Sequence, residues 1–181
     1  NTYYYQLALD LGVQRYDTYM ARYGFGQKTG IDLAGEIEGI VPSPASKMKY
    51  ARQRWYPGDL VNSSIGQGLW KVTPLQLVRG VAAIADGGQL RRPHLAAAQR
   101  AGFDAPWQPL PQSPSARISD HPGNVQVVQE GMEMTTTGSG TAARVFRGSP
   151  YRSAGKTGTA QVVNRGATAV DPRSLPLWKR H

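Results

Sequence analysis

The stretch Ala154-Gly155-Lys156-Thr157-Gly158-Thr159-Ala160-Gln161-Val162-Val163 constrains this chain more than any other. Side chains alternate across a pleated strand, so Thr157, Thr159 and Gln161 would share one face while Lys156, Gly158 and Ala160 share the other. Glycine weakens a strand interior and is placed where another backbone or a ligand comes close; here Gly155 and Gly158 bracket the lysine. The pattern predicts an edge strand that offers hydroxyls and an ammonium group to an anion, with a carboxylate the best fit. A half-buried strand with a snorkelling lysine satisfies the same residues, and a three-residue match arises often by chance, so context has to decide.

Composition narrows the context. A chain of 181 residues with 40% apolar content can build a core of its own. No run approaches the roughly 20 apolar residues of a membrane span, and no signal peptide is visible. The absence of cysteine removes disulfides and thiol chemistry, and His94, His121 and His181 lack ligand spacing, so neither a metal nor another cofactor is expected. The net charge of +9 would suit a polyanion. The cations are dispersed, however, without a basic helix or an aromatic-basic repeat, and nucleic acid is not an expected partner.

Along the chain, Thr2 to Leu11 has helical spacing and stops at Gly12, and Tyr16, Met20 and Tyr23 mark a second short helix closed by Gly24. Residues 24–33 are glycine-punctuated and contain another Lys-Thr-Gly, Lys28 to Gly30, which reads as a structural turn because Ile31-Asp32-Leu33 follows it. Residues 36–62 carry few regular signals and read as a long ordered excursion packed by Trp55 and Tyr56. The clearest helix follows: Thr73 and Gln76 form a capping box, Pro74 takes the first helical position and Gly87 closes the end. Its stripe of Leu77, Val78, Val81, Ile84 and Ala85 is expected to be buried. Residues 89–95 read as a short extended piece in which His94 is structural, and 105–115 as a proline-rich surface loop. Val125, Val128 and Met132 mark another helix, 135–141 a small-residue turn, and Ala142 to Phe146 a short helix.

Four segments in this order, Phe25 to Leu33, Gly66-Gln67-Gly68, Thr73-Pro74-Leu75-Gln76 and Gly155 to Gln161, make the chain resemble the transpeptidase domain of class B penicillin-binding proteins. The resemblance runs from Asn1 to about Val163. Trp55-Tyr56-Pro57-Gly58-Asp59 and Arg92-Pro93-His94 look most like the elongation-type members found in Gram-negative bacteria. It implies an α/β (α+β) architecture, part of the β-lactamase/transpeptidase-like fold, with residues 1–181 forming a single partial domain: mostly the helical subdomain plus the Lys-Thr-Gly edge strand. It also implies acyl transfer through a serine, with Lys156 supplying positive charge, Thr157, Gly158, Thr159 and Gln161 binding the substrate, and Thr157 and Thr159 holding its carboxylate. The implied partners are peptidoglycan stem peptides, β-lactams and the glycan polymerase of cell elongation. The implied place is the periplasmic face of the inner membrane, reached through an N-terminal anchor outside these residues.

The departures from that family are equally definite. Ser-x-x-Lys occurs as Ser46 to Lys49 and Ser153 to Lys156, and neither lies where the family places its nucleophile. No complete Ser-x-Asn occurs. Asn1 fits as the third residue of that motif, with its serine and the nucleophile expected upstream and the last sheet strands expected downstream, so the residues in hand are expected to be catalytically silent alone. Low strand content is expected for the same reason, with either disorder around residues 150–181 or pairing of the Lys-Thr-Gly strand with another chain. A serine β-lactamase would share the strand motif, but Glu36, Glu38, Glu130 and Glu133 lack the Glu-x-x-x-Asn spacing of fast deacylation. A non-catalytic carboxylate-binding segment is the remaining alternative.

Overall fold

The computed structural model describes residues 1–111 and 113–158. The chain divides into two compact units, Asn1–Gly131 and Met132–His181. In chain order the elements are α1 (Thr2–Arg22), α2 (Pro44–Ala51), α3 (Pro57–Ser63), α4 (Pro74–Ala85), β1 (Gln89–Leu90), β2 (Ala98–Gln99), β3 (Gln108–Pro109), β4 (Ala116–Arg117), α5 (Pro122–Thr136) and α6 (Ala143–Phe146). The four short strands form two antiparallel pairs, β1 with β4 and β2 with β3, so strand content among the described residues is low, as expected.

In the first unit α1 bends where the sequence predicts a break: Gly12 takes φ 73° and ψ 160°, which interrupts the helix. Ala8 and Tyr16 from its two sides pack with Leu60 of α3, and Val13, Met20, Trp55 and Trp70 close over them. Tyr16 donates to the Ser63 carbonyl at 2.6 Å, and the Trp70 indole donates to the same carbonyl at 3.0 Å. Burial pushes the Tyr16 phenol up to about 12, with the Trp70 hydrogen bond acting weakly against it. A second cluster joins Ala83, Leu90, Ile118 and Val125, with Tyr23 and Ile84 at its margin.

The stretch 36–62 is more regular than expected. Pro44 and Pro57 start helices instead of breaking them, because each sits at a first-turn position behind a reciprocal or carboxylate cap. Ser43 and Ser46 bond each other's backbone N–H, at 2.7 and 3.1 Å, and Asp59 accepts from Tyr56 N–H at 2.7 Å. Trp55 packs into the core as expected; Tyr56 is 56% exposed and does not.

Helix α4 forms between the predicted cap and glycine, but it turns a different face inward. Leu77, Val78 and Val81 are 51, 64 and 45% exposed, while Gln76, Gly80 and Ala83 are buried. Two close approaches force this orientation. A Cβ on Gly80 would lie 3.2 Å from the Phe25 ring, a tight approach that glycine relieves. Gln76 is 1% exposed and its amide is needed inside, donating to the carbonyls of Gln27 at 2.7 Å and Glu38 at 2.8 Å and accepting from Thr73 N–H at 3.0 Å. A buried amide satisfied this fully ties the 24–40 loop to the helix, which an apolar stripe could not do. Part of the proline-rich 105–115 stretch is also ordered into β3, paired with β2.

In the second unit α5 extends through Thr136, beyond the predicted start of the small-residue turn. The chain then turns through Gly138 and Gly140 into α6.

Candidate functional site

The segment that carries Lys156, Thr157 and Gly158 is held from behind by the end of α5. Gly155 N–H donates to the Met132 carbonyl at 3.0 Å, and the Thr136 hydroxyl donates to the Ser153 carbonyl at 2.5 Å. Arg152 adds an ion pair with Glu133 at 2.5 Å. These bonds fix the backbone on both sides of Ala154 while Lys156, Thr157 and Gly158 stay exposed. The motif pattern gives no hint of these supports beyond one trace: Thr136 is a hydroxyl residue late in a helical pattern, where such side chains bond nearby carbonyls.

Residues 154–158 form no strand ladder, so the expected edge strand is absent over the part that the structure describes. Thr159 and Gln161 lie outside the described residues. The Lys156 ammonium folds onto its neighbour, donating to the Thr157 carbonyl at 2.6 Å and lying 3.5 Å from the Thr157 hydroxyl. Ammonium, hydroxyl and backbone are thus brought into one small exposed cluster, suited to an anionic group. Neither Gly155 nor Gly158 would meet another atom of the described residues within 4 Å through an added Cβ. Asn1 belongs to the other unit. It is exposed and serves as the N-cap of α1, its carbonyl accepting from Tyr4 and Tyr5 at 2.9 and 3.1 Å.

The other Lys-Thr-Gly is the structural turn that the sequence predicts. Thr29 is 4% exposed, and the Glu36 carboxylate accepts from Thr29 N–H at 2.7 Å, from its hydroxyl at 2.5 Å and from Gly30 N–H at 3.0 Å. The serines of the two Ser-x-x-Lys strings are engaged structurally. Ser46 belongs to the α2 cap, and Lys47 bonds Asp59 at 2.7 Å; the Ser153 carbonyl anchors the site segment. Among the described glutamates, Glu36 and Glu133 are held as above and Glu130 accepts from Gln126 at 2.9 Å. His94 contacts the Ala96 carbonyl at 3.1 Å, in keeping with a structural role.

The exposed Lys156-Thr157-Gly158 follows the ordered glycine and Thr-Pro-Leu-Gln landmarks, the same order of segments on which the sequence resemblance rests. Residues 1–174 match the penicillin binding protein transpeptidase domain family, and the chain belongs to it. The peptidoglycan D,D-transpeptidase MrdA of Escherichia coli K12 is 36% identical over 164 residues, which cover 90% of this chain and 26% of that protein. The structure of Pseudomonas aeruginosa PBP2 in complex with WCK 5153 matches with a TM-score of 0.73 and 41% identity over 89% of this chain and 36% of that one. A complex between Helicobacter pylori PBP2 and MreC matches with a TM-score of 0.74 and 33% identity over 89% of this chain and 28% of that one. The chain therefore spans about a quarter of the length of the curated relatives it matches.

Proposed function

We propose that the chain supplies the carboxylate-holding wall of a peptidoglycan D,D-transpeptidase of the PBP2 kind. The observation that supports this best is the exposed cluster of Lys156 and Thr157, anchored from behind by Met132 and Thr136, in a chain of this family. In this reading Lys156 and Thr157, with Thr159 and Gln161, position the terminal carboxylate of a stem peptide or the acid of a β-lactam. Asn1 supplies the third residue of the family's Ser-x-Asn motif. Donors placed in advance around charge that grows in a tetrahedral intermediate lower the barrier without reorganising during the reaction. The acylated serine is neither Ser46 nor Ser153, whose surroundings are structural. The activity belongs to an elongation-type wall-synthesis assembly on the periplasmic side of the inner membrane.

The test is a titration of the chain with a D,D-peptide ending in a free carboxylate, followed by amide NMR. Resonances of Lys156 to Gly158 are expected to shift, while the same peptide with a C-terminal amide leaves them in place. Equal response to both peptides overturns the reading. In parallel, fluorescent penicillin is expected to leave no covalent label on the chain alone. Grafted in place of the matching residues of E. coli MrdA, the chain should support labelling that Lys156→Ala abolishes and Lys28→Ala leaves intact. A heat-stable label on residues 1–181 alone would contradict the assignment of both serines.

A further inference from the structure

The turn between α2 and α3 concentrates positive charge that the fold does not use. Lys49, Arg52 and Arg54 are exposed and make no ion pair among the described residues, and residues 48–58 contain no acid. The nearest carboxylate in sequence, Asp59, is taken by Lys47 at 2.7 Å. Elsewhere Arg22, Arg91 and Arg152 each find a carboxylate: Asp120, Asp86 and Glu133. The turn is also held rigidly. It is bracketed by the Ser43–Ser46 cap and the Asp59 cap, cross-braced by Lys47–Asp59, and passes through Arg52 at φ 53°, a left-handed conformation that side chains other than Gly, Asn or Asp rarely adopt.

Two exposed tyrosine rings lie in the same stretch of chain. Tyr50 and Tyr56 are 54 and 56% exposed, with the Lys49 ammonium 5.0 Å from the first ring centroid and the Lys47 ammonium 5.2 Å from the second. We propose that this turn docks a carboxylate-bearing glycan–peptide polymer, with Lys49, Arg52 and Arg54 meeting its carboxylates and the Tyr50 and Tyr56 rings meeting the C–H faces of its sugars. The identity of the polymer rests on the proposed function, since a cross-linking site needs strands held beside it. An anionic membrane fits less well. Interfacial helices bury a broad apolar face, whereas α2 has eight residues and Met48 is its one large exposed aliphatic side chain.

Co-sedimentation of the full chain with purified, insoluble peptidoglycan at low ionic strength tests the proposal. Lys49→Gln/Arg52→Asn/Arg54→Gln, with Asn chosen because it tolerates the left-handed position, is expected to lower the bound fraction about tenfold, since three cationic partners of the polymer are neutralised together. A control that removes the same charge elsewhere, Arg15→Gln/Arg117→Gln/Arg144→Gln, should change binding less than about twofold. Circular dichroism melts matching the parent chain confirm that both variants fold, and Tyr50→Ala alone should weaken binding with no change of charge. Unchanged binding by the first variant overturns the proposal, as does equal weakening in the control. Transfer of the same charge-dependent binding to phosphatidylglycerol vesicles, with peptidoglycan binding unaffected, would reassign the turn to a membrane. Lys49→Gln/Arg52→Asn/Arg54→Gln should keep the amide response of Lys156 to Gly158 to the free-carboxylate D,D-peptide, so failure of the cross-linking reading and failure of this one are separable.

Discussion

Lys28-Thr29-Gly30 and Lys156-Thr157-Gly158 are the same three residues in two settings. The first receives a carboxylate from its own chain: Glu36 fills the place in front of the Thr29 hydroxyl and the two backbone amides, and Thr29 is buried as a result. The second stands exposed, its lysine turned onto its own threonine, with its backbone braced by Met132 and Thr136. On the proposed function the triplet receives a carboxylate in both settings, and its role depends on where that carboxylate comes from. Supplied seven residues downstream of the threonine, it makes a turn; supplied from outside, as proposed for Lys156 to Gly158, it would make a binding site.

The largest expected effect breaks this comparison at the threonine. Thr29→Val removes a buried donor to a carboxylate, and Glu36→Gln removes the charge and one acceptor; each should cost about 2 kcal/mol by urea unfolding. Thr157→Val should stay within about 0.5 kcal/mol of the parent chain while losing the response to the free-carboxylate peptide. If Thr157→Val destabilises the chain as much as Thr29→Val, the second triplet is structural too.

The glycines sharpen the contrast by a smaller amount. Gly30 holds φ 79° with the Arg92 side chain 3.3 Å from where a Cβ would sit, and Arg92 also donates to its carbonyl. Gly30→Ala should therefore cost about 1–2 kcal/mol for the left-handed backbone alone. Gly158 is not in that region and a Cβ there would meet no atom of the described residues within 4 Å, so Gly158→Ala should change stability by less than about 0.5 kcal/mol. Thermal melts of the two variants decide this, and a larger loss for Gly158 would show hidden packing around the site.

Much of this is legible in the residues. Gly12, the Thr73–Gln76 box and Gly87 mark real boundaries because capping and left-handed turns are local events, decided within a few residues. The helices α2 and α3 escape a reading that takes Pro44 and Pro57 as breakers, although Ser43, Ser46 and Asp59 stand at capping positions beside them. The inward face of α4 escapes for a different reason. Hydrophobic periodicity favours the larger apolar residues, and nothing near Gly80 in sequence announces that Phe25 will lie against it. At the site, the triplet and its exposure are readable. Its supports at Met132, Glu133 and Thr136 are not, since they come from the helix that precedes the segment and act mainly through backbone groups.

The smallest effect is a matter of pH. Burial raises the Glu36 carboxyl, but the Thr29 hydroxyl, the amides of Thr29 and Gly30 and the charge of Lys28 outweigh it, leaving the group below its ordinary 4.5. A carboxyl depressed in the folded state binds its proton more readily in the unfolded chain. Its stabilisation is therefore complete above 4.5 and is lost as pH falls below that value through the folded one. Two other carboxyls add to the same acid limb. Asp59 is raised by burial but lowered further by the Lys47 hydrogen bond, the Tyr56 amide and the Lys47 charge, and Asp32 is lowered chiefly by the amides of Ala96 and Leu95. Glu36→Gln should thus flatten the fall of the urea midpoint between about pH 5 and about pH 3 without abolishing it, whereas Thr157→Val should leave the slope unchanged. Parallel slopes for the parent chain and Glu36→Gln would mean that the turn holds Glu36 no more tightly than water does, and the likeness between the two triplets would then lose its physical basis.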